Sequence, residues 1–444
     1  MTSAQAPGGP ARRAVPLTEY SPTALVFEHD AASGGFIHQY DRDLQLLCVW
    51  GGAREHDDAI RELALASFDV IAEFEVTWSP EHLVTSFERL YAEHLDGTSD
   101  KHEQVGEGPF LLLVLEDRAP LYGYRRNVSG LVELTNVHMS SLKGRARALA
   151  GGGYRVHSSN GMQEFFRDAS LILGPDRVDA LLAGVTQDSR EDIGDPVGAD
   201  GWPDLTTVFR TLRRATPYVV LRGFDELPAI PDDHEIDVLG RRRLDLGALL
   251  GARPDWPGGG AFHFDVAGER VTFDVRTVGD GYLDAAWQDQ ILSQRTWFAD
   301  DVPVPRIDDL FFSLLYHAKI QKLAVKPAYG PLLDRLAKEL GIPDTLVTTL
   351  LDDRTSAEVL DGFLAAHRFR VPIPADTGVE RNEAVVSRLW RTRVDQPVLD
   401  LARQELWRRT KQSRPARAAA GSTVLRSTYR GARSLVRGLR ERLR

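Results

Sequence analysis

The sequence predicts an α/β (α+β) protein of at least two domains, and three observations support this. The chain has 444 residues, which corresponds to about two or three domains at roughly 100–200 residues each. Hydrophobic residues make up 43% and charged residues 27%, as in chains that bury a core. Short β-rich runs alternate with segments of helical periodicity, which is typical of layered strands and helices.

The N-terminal part is predicted to hold one α/β domain after a disordered start. Residues 1–22 are rich in Pro, Gly and Ala, and we expect them to be disordered. The domain of unknown role is predicted over residues 23–185, with a helix over 59–68 and another after Ser79, a residue type favoured at helix N-caps. Its strands are expected in three runs, at 44–50, 68–78 and 110–117.

The remaining chain divides into a linker, two structural parts and a tail. Residues 186–203 are polar with Gly and Pro and are predicted to be the linker. A mixed-sheet domain is expected over 204–304, followed by a helical extension over 305–410. Residues 411–444 form a basic tail.

Charge and cysteine content narrow the location and the partners. The single cysteine, Cys48, cannot form an internal disulfide, and no run reaches the ~20 apolar residues of a membrane helix. The N-terminus lacks the apolar segment of a signal peptide, so we expect a cytoplasmic protein. Net charge is −10, and the tail carries ten basic residues and one acid, so the body is strongly acidic. No specific nucleic-acid partner is expected for such a body.

The tail is predicted to be a basic amphipathic helix. Six side chains recur at spacings of three and four residues and define one apolar stripe, and arginines fill the other faces. This pattern indicates peripheral attachment to an anionic membrane surface, on its inner face, or an acidic partner. The alternative is a disordered tail that solubilises the chain or adheres non-specifically to nucleic acid. The stripe consists of Leu425, Tyr429, Ala432, Val436, Leu439 and Leu443.

Three carboxylates make the region from 218 to 277 the candidate active site. In the alternating run 234–240, Glu235 and Asp237 lie two residues apart and share one face of a strand. Asp274 occupies a similar position in a later alternating run. Three such carboxylates can hold Mg²⁺ or Mn²⁺ ions, which stabilise the attacking and leaving oxygens of phosphoryl transfer.

These residues resemble the nucleotidyltransferase-fold superfamily of the DNA polymerase β type, including bacterial nucleotidyltransferase-like proteins. The shared order is a strand, a glycine turn at Gly223, a loop, the acid-x-acid pair and a later third acid. The resemblance covers about residues 205–375, and Phe224 stands where the family usually has a second small residue. Catalytic and metal-binding roles are then implied for Glu235, Asp237 and Asp274.

The resemblance implies a metal-dependent nucleotidyl or phosphoryl transferase. A nucleoside triphosphate would be the substrate and a small molecule the acceptor. An envelope-linked glycan as acceptor is a hypothesis that rests only on the predicted surface attachment of the tail. Phosphate contacts are expected from Arg222 beside the turn, and from Lys319 and Lys322 on the following helix. A non-catalytic scaffold or binding protein in cell-envelope polysaccharide assembly is the alternative, because fold does not imply activity. The carboxylates and lysines can also be solvent-facing positions of amphipathic elements.

A second candidate site follows the glycine run at 151–153. Backbone N–H groups of a glycine turn and a helix start attract anions, which would place a phosphate near His157, Ser159 and Asn160. A tight turn followed by a Ser/Asn helix cap is the structural alternative. The twelve histidines contain no HExxH motif and the chain has no GxSxG motif, which disfavours zinc and serine hydrolases.

Overall fold

The chain has a mixed α/β fold with several mixed sheets. The computed structural model describes residues 24–26, 42–93, 100–126, 132–186, 190–254, 260–299 and 301–395. It divides into two compact units, with unit 1 formed mainly by residues 1–202 and unit 2 mainly by 217–247 and 252–444. Within the described ranges, no helix has both the length and the apolar character needed to cross a bilayer.

Unit 1 contains two sheets and six complete helices in its described part. A three-stranded sheet has the order β1-β5-β6, and a five-stranded sheet has the order β7-β2-β4-β3-β8. The strands are β1 (Ala24–Val26), β2 (Leu44–Val49), β3 (Asp69–Val76), β4 (Phe110–Glu116), β5 (Tyr122–Arg126), β6 (Val132–Asn136), β7 (Val156–Ser158) and β8 (Glu191–Ile193). The helices are α1 (Asp57–Leu65), α2 (Leu83–Tyr91), α3 (Asp100–Val105), α4 (Val137–Leu149), α5 (Met162–Ile172) and α6 (Pro175–Leu182).

Burial explains the order of strands in the larger sheet of unit 1. β2 and β4 are apolar along almost their whole length, and they pair antiparallel in the middle of the sheet, where both faces are covered. β3 alternates and leaves Glu73 and Glu75 partly exposed, where Arg54 and Arg61 pair with them. Apolar side chains from α1 and α4 complete the core on one face.

Unit 2 is built on one mixed sheet and a group of helices. The five-stranded sheet has the order β11-β12-β13-β10-β9, and a hairpin is formed by β14 and β15. The strands are β9 (Tyr218–Arg222), β10 (Glu235–Gly240), β11 (Arg253–Pro254), β12 (Ala261–Val266), β13 (Glu269–Thr277), β14 (Thr296–Phe298) and β15 (Val302–Val304). The helices are α7 (Leu205–Ala215) and α8 (Arg243–Leu250), both divided between the units, then α9 (Ala285–Ser293), α10 (Ile307–Lys319), α11 (Tyr329–Glu339), α12 (Asp344–Val347), α13 (Asp353–Ala366) and α14 (Glu383–Val386).

The core of unit 2 joins the sheet to the helices after it. Val219 and Leu239, from β9 and β10, belong to the same buried cluster as residues of α9, α10, α11 and α13. Trp287 of α9 is fully buried and stacks on Phe369 with ring centroids 5.6 Å apart. Full burial of an aromatic side chain contributes on the order of 2–3 kcal/mol. The sheet and the helical segment up to Leu389 therefore share one core.

Two parts of the structure differ from the sequence-based boundaries. Within the predicted linker 186–203, Glu191–Ile193 forms β8, which pairs parallel with β3, so this short run provides backbone partners for an edge strand. The helix expected after Ser79 begins at Leu83, after a turn in which the Ser79 carbonyl accepts from two backbone N–H groups. Residues 1–22 and the tail 411–444 lie outside the described residues.

Candidate active site

The three predicted carboxylates come together at the centre of the unit 2 sheet. β10 and β13 pair parallel, and Asp237 lies directly opposite Asp274. Glu235 is two residues before Asp237 on the same strand, so its side chain lies on the same face. One oxygen atom from each of the three carboxylates lies within 4.8 Å of the others. Such hard oxygen donors suit Mg²⁺ or Mn²⁺.

A β-bulge brings Arg222 to this cluster. The register between β9 and β10 shifts at Asp237, so that Leu221 is the extra residue and Arg222 lies opposite Asp237. Bulges redirect side chains in this way and are common beside functional sites. Arg222 Nη2 donates to Asp237 Oδ1 over 2.8 Å. Gly223 follows at a φ of 68°, a conformation that favours glycine, and the chain turns away from the sheet there.

A second arginine holds the third carboxylate. Arg276 Nη2 donates to Asp274 Oδ2 over 2.8 Å, and its Nη1 donates to Asp376 Oδ2 over 2.9 Å. The other oxygen of Asp274, Oδ1, lies beside Gly260, where an added Cβ would be 3.0 Å from it. A side chain at residue 260 would therefore crowd the carboxylate oxygen that Arg276 does not engage.

The electrostatics of the cluster favour a bound cation. Burial raises the pKa of Asp237, and the charge of Asp274 adds to this, whereas Arg222 opposes it. The pKa of Glu235 is also raised, by burial and then by the charges of Asp237 and Asp274. Burial alone would lower the pKa of Arg222, but the nearby Tyr282 and Asp237 raise it overall. Crowded carboxylates with raised pKa values gain from an added positive charge.

Tyr282 contacts both arginines, and His317 contacts Tyr282. Arg222 is hydrogen-bonded to Tyr282, and the Arg276 guanidinium lies 4.7 Å from the centroid of the Tyr282 ring. The Tyr282 hydroxyl is 2.7 Å from His317 Nδ1. Burial and the charge of Arg222 lower the pKa of His317 to about 2, so the ring is neutral at physiological pH. Burial likewise raises the pKa of Tyr282 to about 12.

A cavity of about 940 Å³ opens beside the cluster. Its lining includes Arg222, Gly223, Glu235 and Asp237. The opposite wall comes from α11 and the segment before it, which provide Lys326, Tyr329 and Arg335 among others. A pocket of this size accepts a nucleotide-sized ligand. Acidic side chains also line it, namely Asp225, Glu226, Asp232 and Asp233.

The two lysines predicted for phosphate contact are placed differently. Lys319 is buried at the end of α10, where its Nζ donates to the Leu351 carbonyl over 2.6 Å and pairs with Asp353 at 2.7 Å. Neither Lys319 nor Lys322 belongs to the described residues that line the cavity. The lysine among the described lining residues is Lys326, whose charge opposes the raised pKa of Glu235. Its position after α10 has ended gave no periodic signal in the sequence.

The second candidate region is a group of polar side chains in unit 1 that pair with one another. His157, Glu164 and Asp168 lie close enough to share a cation, but Arg167 pairs with both acids, at 3.0 Å and 2.7 Å. His157 Nε2 is 2.9 Å from Asp168 Oδ2. Asp168 is fully buried. Both acids of this cluster are therefore already engaged by Arg167.

The remaining predicted groups of this region also bond to protein. The Ser159 hydroxyl donates to Gln45 Oε1 over 2.8 Å and accepts from Leu46 N over 2.9 Å. Asn160 N donates to Glu164 Oε2 over 2.7 Å. The glycine run forms a turn, as in the structural alternative. The helix α5 begins at Met162 with Gly161 at the cap position, so no Ser or Asn side chain caps it.

Comparison of the chain with protein-family models, with curated proteins and with solved structures finds no match, so no family is assigned on similarity.

Proposed function

We propose that unit 2 is a metal-dependent nucleotidyl or phosphoryl transferase that acts on a small or envelope-linked acceptor. The observation that carries the proposal is the convergence of Glu235, Asp237 and Asp274 within 4.8 Å. The cluster lies beside a cavity of nucleotide size, and arginine and lysine side chains line that cavity. An acid-x-acid strand paired with a third acid is also the arrangement of the nucleotidyltransferase-fold superfamily, which the sequence resembles.

Each group at the site has a proposed role. Glu235, Asp237 and Asp274 hold Mg²⁺ or Mn²⁺, which supplies electrostatic stabilisation of the phosphoryl oxygens when bound. Asp274 also accepts the proton of the acceptor hydroxyl. Phosphate oxygens are contacted by Arg222, which directly precedes Gly223, and by Lys326. The bulge and Tyr282 orient Arg222 for this contact.

Binding of the four nucleoside triphosphates tests the proposal. Calorimetry on the full chain would be done with Mg²⁺, with Mn²⁺ and with chelator, on wild type and on Asp237→Ala. We expect metal-dependent binding of at least one nucleotide to wild type, weakened by at least tenfold in the variant. A nucleotide affinity that depends neither on the metal nor on the substitution would reject the transferase mechanism.

A non-catalytic scaffold in cell-envelope polysaccharide assembly is the second candidate. Two observations favour it, and the first is that Asp237 and Asp274 are each already paired with an arginine. Phe224 adds to this, because it packs against Phe298 with ring centroids 5.3 Å apart where the superfamily has a small residue. Nucleotide binding without turnover of any acceptor in the presence of Mn²⁺ is the result expected of a scaffold.

A further inference from the structure

Two of the three carboxylates already have a permanent cation beside them. Asp237 Oδ1 accepts from Arg222, and Asp274 Oδ2 accepts from Arg276, each over 2.8 Å. Among the described residues, Glu235 forms no ion pair. The site therefore contains fixed positive charge as well as the negative charge that a metal ion requires.

Both arginines are held firmly in place. The side chains of Arg222 and Arg276 are only 12% and 13% exposed. Tyr282 hydrogen-bonds Arg222 and lies under the Arg276 guanidinium, and Asp376 gives Arg276 a second carboxylate partner. A guanidinium stays protonated in proteins, so neither group can lose its charge to make room for a metal ion.

The charge balance distinguishes one metal ion from two. Three carboxylates and two guanidiniums leave one net negative charge, or two if Asp376 is included. One divalent cation brings this total to one positive charge, or to zero if Asp376 is included. Two divalent ions, which sit roughly 3.5–4 Å apart in two-metal sites, would bring it to three or two positive charges beside the partly buried Asp237 and Asp274.

We infer that the carboxylate cluster of the nucleotide-free protein takes one divalent cation, and that Arg222 supplies the charge of a second. This inference rests on the proposed function, and it specifies how that site differs from a two-metal centre. Each aspartate keeps one oxygen that its arginine does not engage, and Glu235 keeps both, so one ion still finds three carboxylate ligands. Hydrogen bonds from the arginines would orient those ligands.

Counting bound Mn²⁺ on the full chain tests the inference. Electron paramagnetic resonance of free Mn²⁺ would be followed during titration, without nucleotide, for wild type and for Arg222→Met. We expect one bound ion per chain in wild type and a second, weaker one in Arg222→Met, because two ions leave less excess positive charge once the substitution has removed one fixed positive charge. Arg222→Lys retains that charge, and Arg335→Met changes an exposed arginine at the rim of the same cavity, so both should bind one ion.

Two results would overturn the inference, namely two bound ions in wild type, or a single ion in a folded Arg222→Met variant. If circular dichroism shows that Arg222→Met is unfolded, Arg276→Met takes its place with the same expected increase. Failure of the proposed function gives a different result, because wild type would then bind no more Mn²⁺ than Asp237→Asn does.

Discussion

Asp237 is a carboxylate whose charge is costly to maintain without a partner cation. It lies on β10, two residues after Glu235 and opposite Asp274 of β13. Its pKa is raised by burial and by the charge of Asp274. Arg222 supplies part of the compensation. Protons would therefore compete with the proposed metal ion for the same oxygens.

The affinity for Mn²⁺ should therefore still depend on pH above the pH range in which ordinary carboxyl groups titrate. Glu235 and Asp237 both have raised pKa values, so they retain protons at a pH where ordinary carboxyl groups have lost them. We expect the affinity measured by calorimetry to fall as the pH is lowered, and the fall to begin above the pH at which ordinary carboxyl groups, with pKa values of about 4, take up protons. Asp265→Asn, an exposed acid on β12, is the control and should leave the pH profile unchanged. A flat profile in wild type would contradict the prediction.

Asp43 in unit 1 gives a second, independent pH prediction. Its carboxylate accepts from Tyr122 over 2.6 Å and from Gln45 over 2.7 Å, yet burial raises its pKa to about 6. Because the folded pKa exceeds the unfolded one, the stability associated with the proton is present below about pH 4 and is lost as the pH rises through about 6. The shift corresponds to roughly 3 kcal/mol.

Denaturant unfolding of wild type and Asp43→Asn at several pH values measures this effect. We expect the variant to gain stability relative to wild type as the pH rises from about 4 to about 7, because it has no carboxylate charge to bury. The amide can still accept from Gln45 and donate to the Tyr122 oxygen. A stability difference that does not vary with pH would show that Asp43 is not the titrating group.

At this scale the sequence predicted the acids better than the bases. Alternation along 234–240 was sufficient to place Glu235 and Asp237 on one face, and the structure brings both close to Asp274. Arg276 and Lys326 were missed. Arg276 follows Asp274 by two residues on the same strand, so strand alternation predicts that the two side chains share one face. The position of Lys326 depends instead on where the chain turns after α10.

At the scale of elements, the site depends on a parallel strand pair and a bulge. Alternation predicted the β10 and β13 strands, but their parallel register depends on the connection between them, which includes α8 and β12. The bulge at Leu221 arises from pairing between β9 and β10 and has no local sequence signature. The three principal helices after 305 followed from apolar periodicity, and α10, α11 and α13 occupy the predicted segments.

The loop between β13 and α9 links Arg276 to the segment that carries Asp376. Gly279 and Gly281 both have positive φ, so an alanine at either position is strained. Only at Gly281 would the added Cβ also meet backbone, 2.2 Å from the Ile373 carbonyl oxygen, whereas at Gly279 nothing lies within 4 Å. The two glycines therefore form a matched pair.

Gly281→Ala should destabilise unit 2 by about 1–3 kcal/mol more than Gly279→Ala, because overpacking adds to the backbone strain. Thermal and denaturant unfolding would measure this difference. Gly281→Ala should also weaken Mn²⁺ binding, since it displaces the segment that holds Arg276 through Asp376. Equal effects of the two substitutions would mean that the 371–376 segment moves aside without cost.

At the scale of the whole molecule, the tail 411–444 is predicted to attach the protein to anionic membranes, and it lies outside the described residues. Its ten basic residues and apolar stripe suit an interfacial helix, with each basic residue contributing about 1 kcal/mol near anionic lipid. Flotation with phosphatidylglycerol vesicles should recover the full chain but not a chain ending at Thr410. Neutral phosphatidylcholine vesicles are the control, and equal flotation of both chains would refute the attachment.

The prediction of an α/β fold holds for the whole described chain, whereas the division into parts was harder to foresee. Polar composition marked 186–203 as a linker, but composition cannot show that three residues there pair with β3. Long-range pairing of this kind depends on which strand edge remains unpaired after the rest of the sheet has formed. The sequence alone does not contain that information in any local window.

The shared core of unit 2 also limits how small a working fragment can be. Val219 and Leu239, next to the carboxylates, belong to one buried cluster with Leu364 and Leu389, about 150 residues further along the chain. A gene shortened soon after the codon for Asp274 would encode the three acids but not the side chains that cover their strands. Mutagenesis directed at the carboxylate cluster should therefore sample positions as far as Leu389, because that residue shares the buried core that covers β9 and β10.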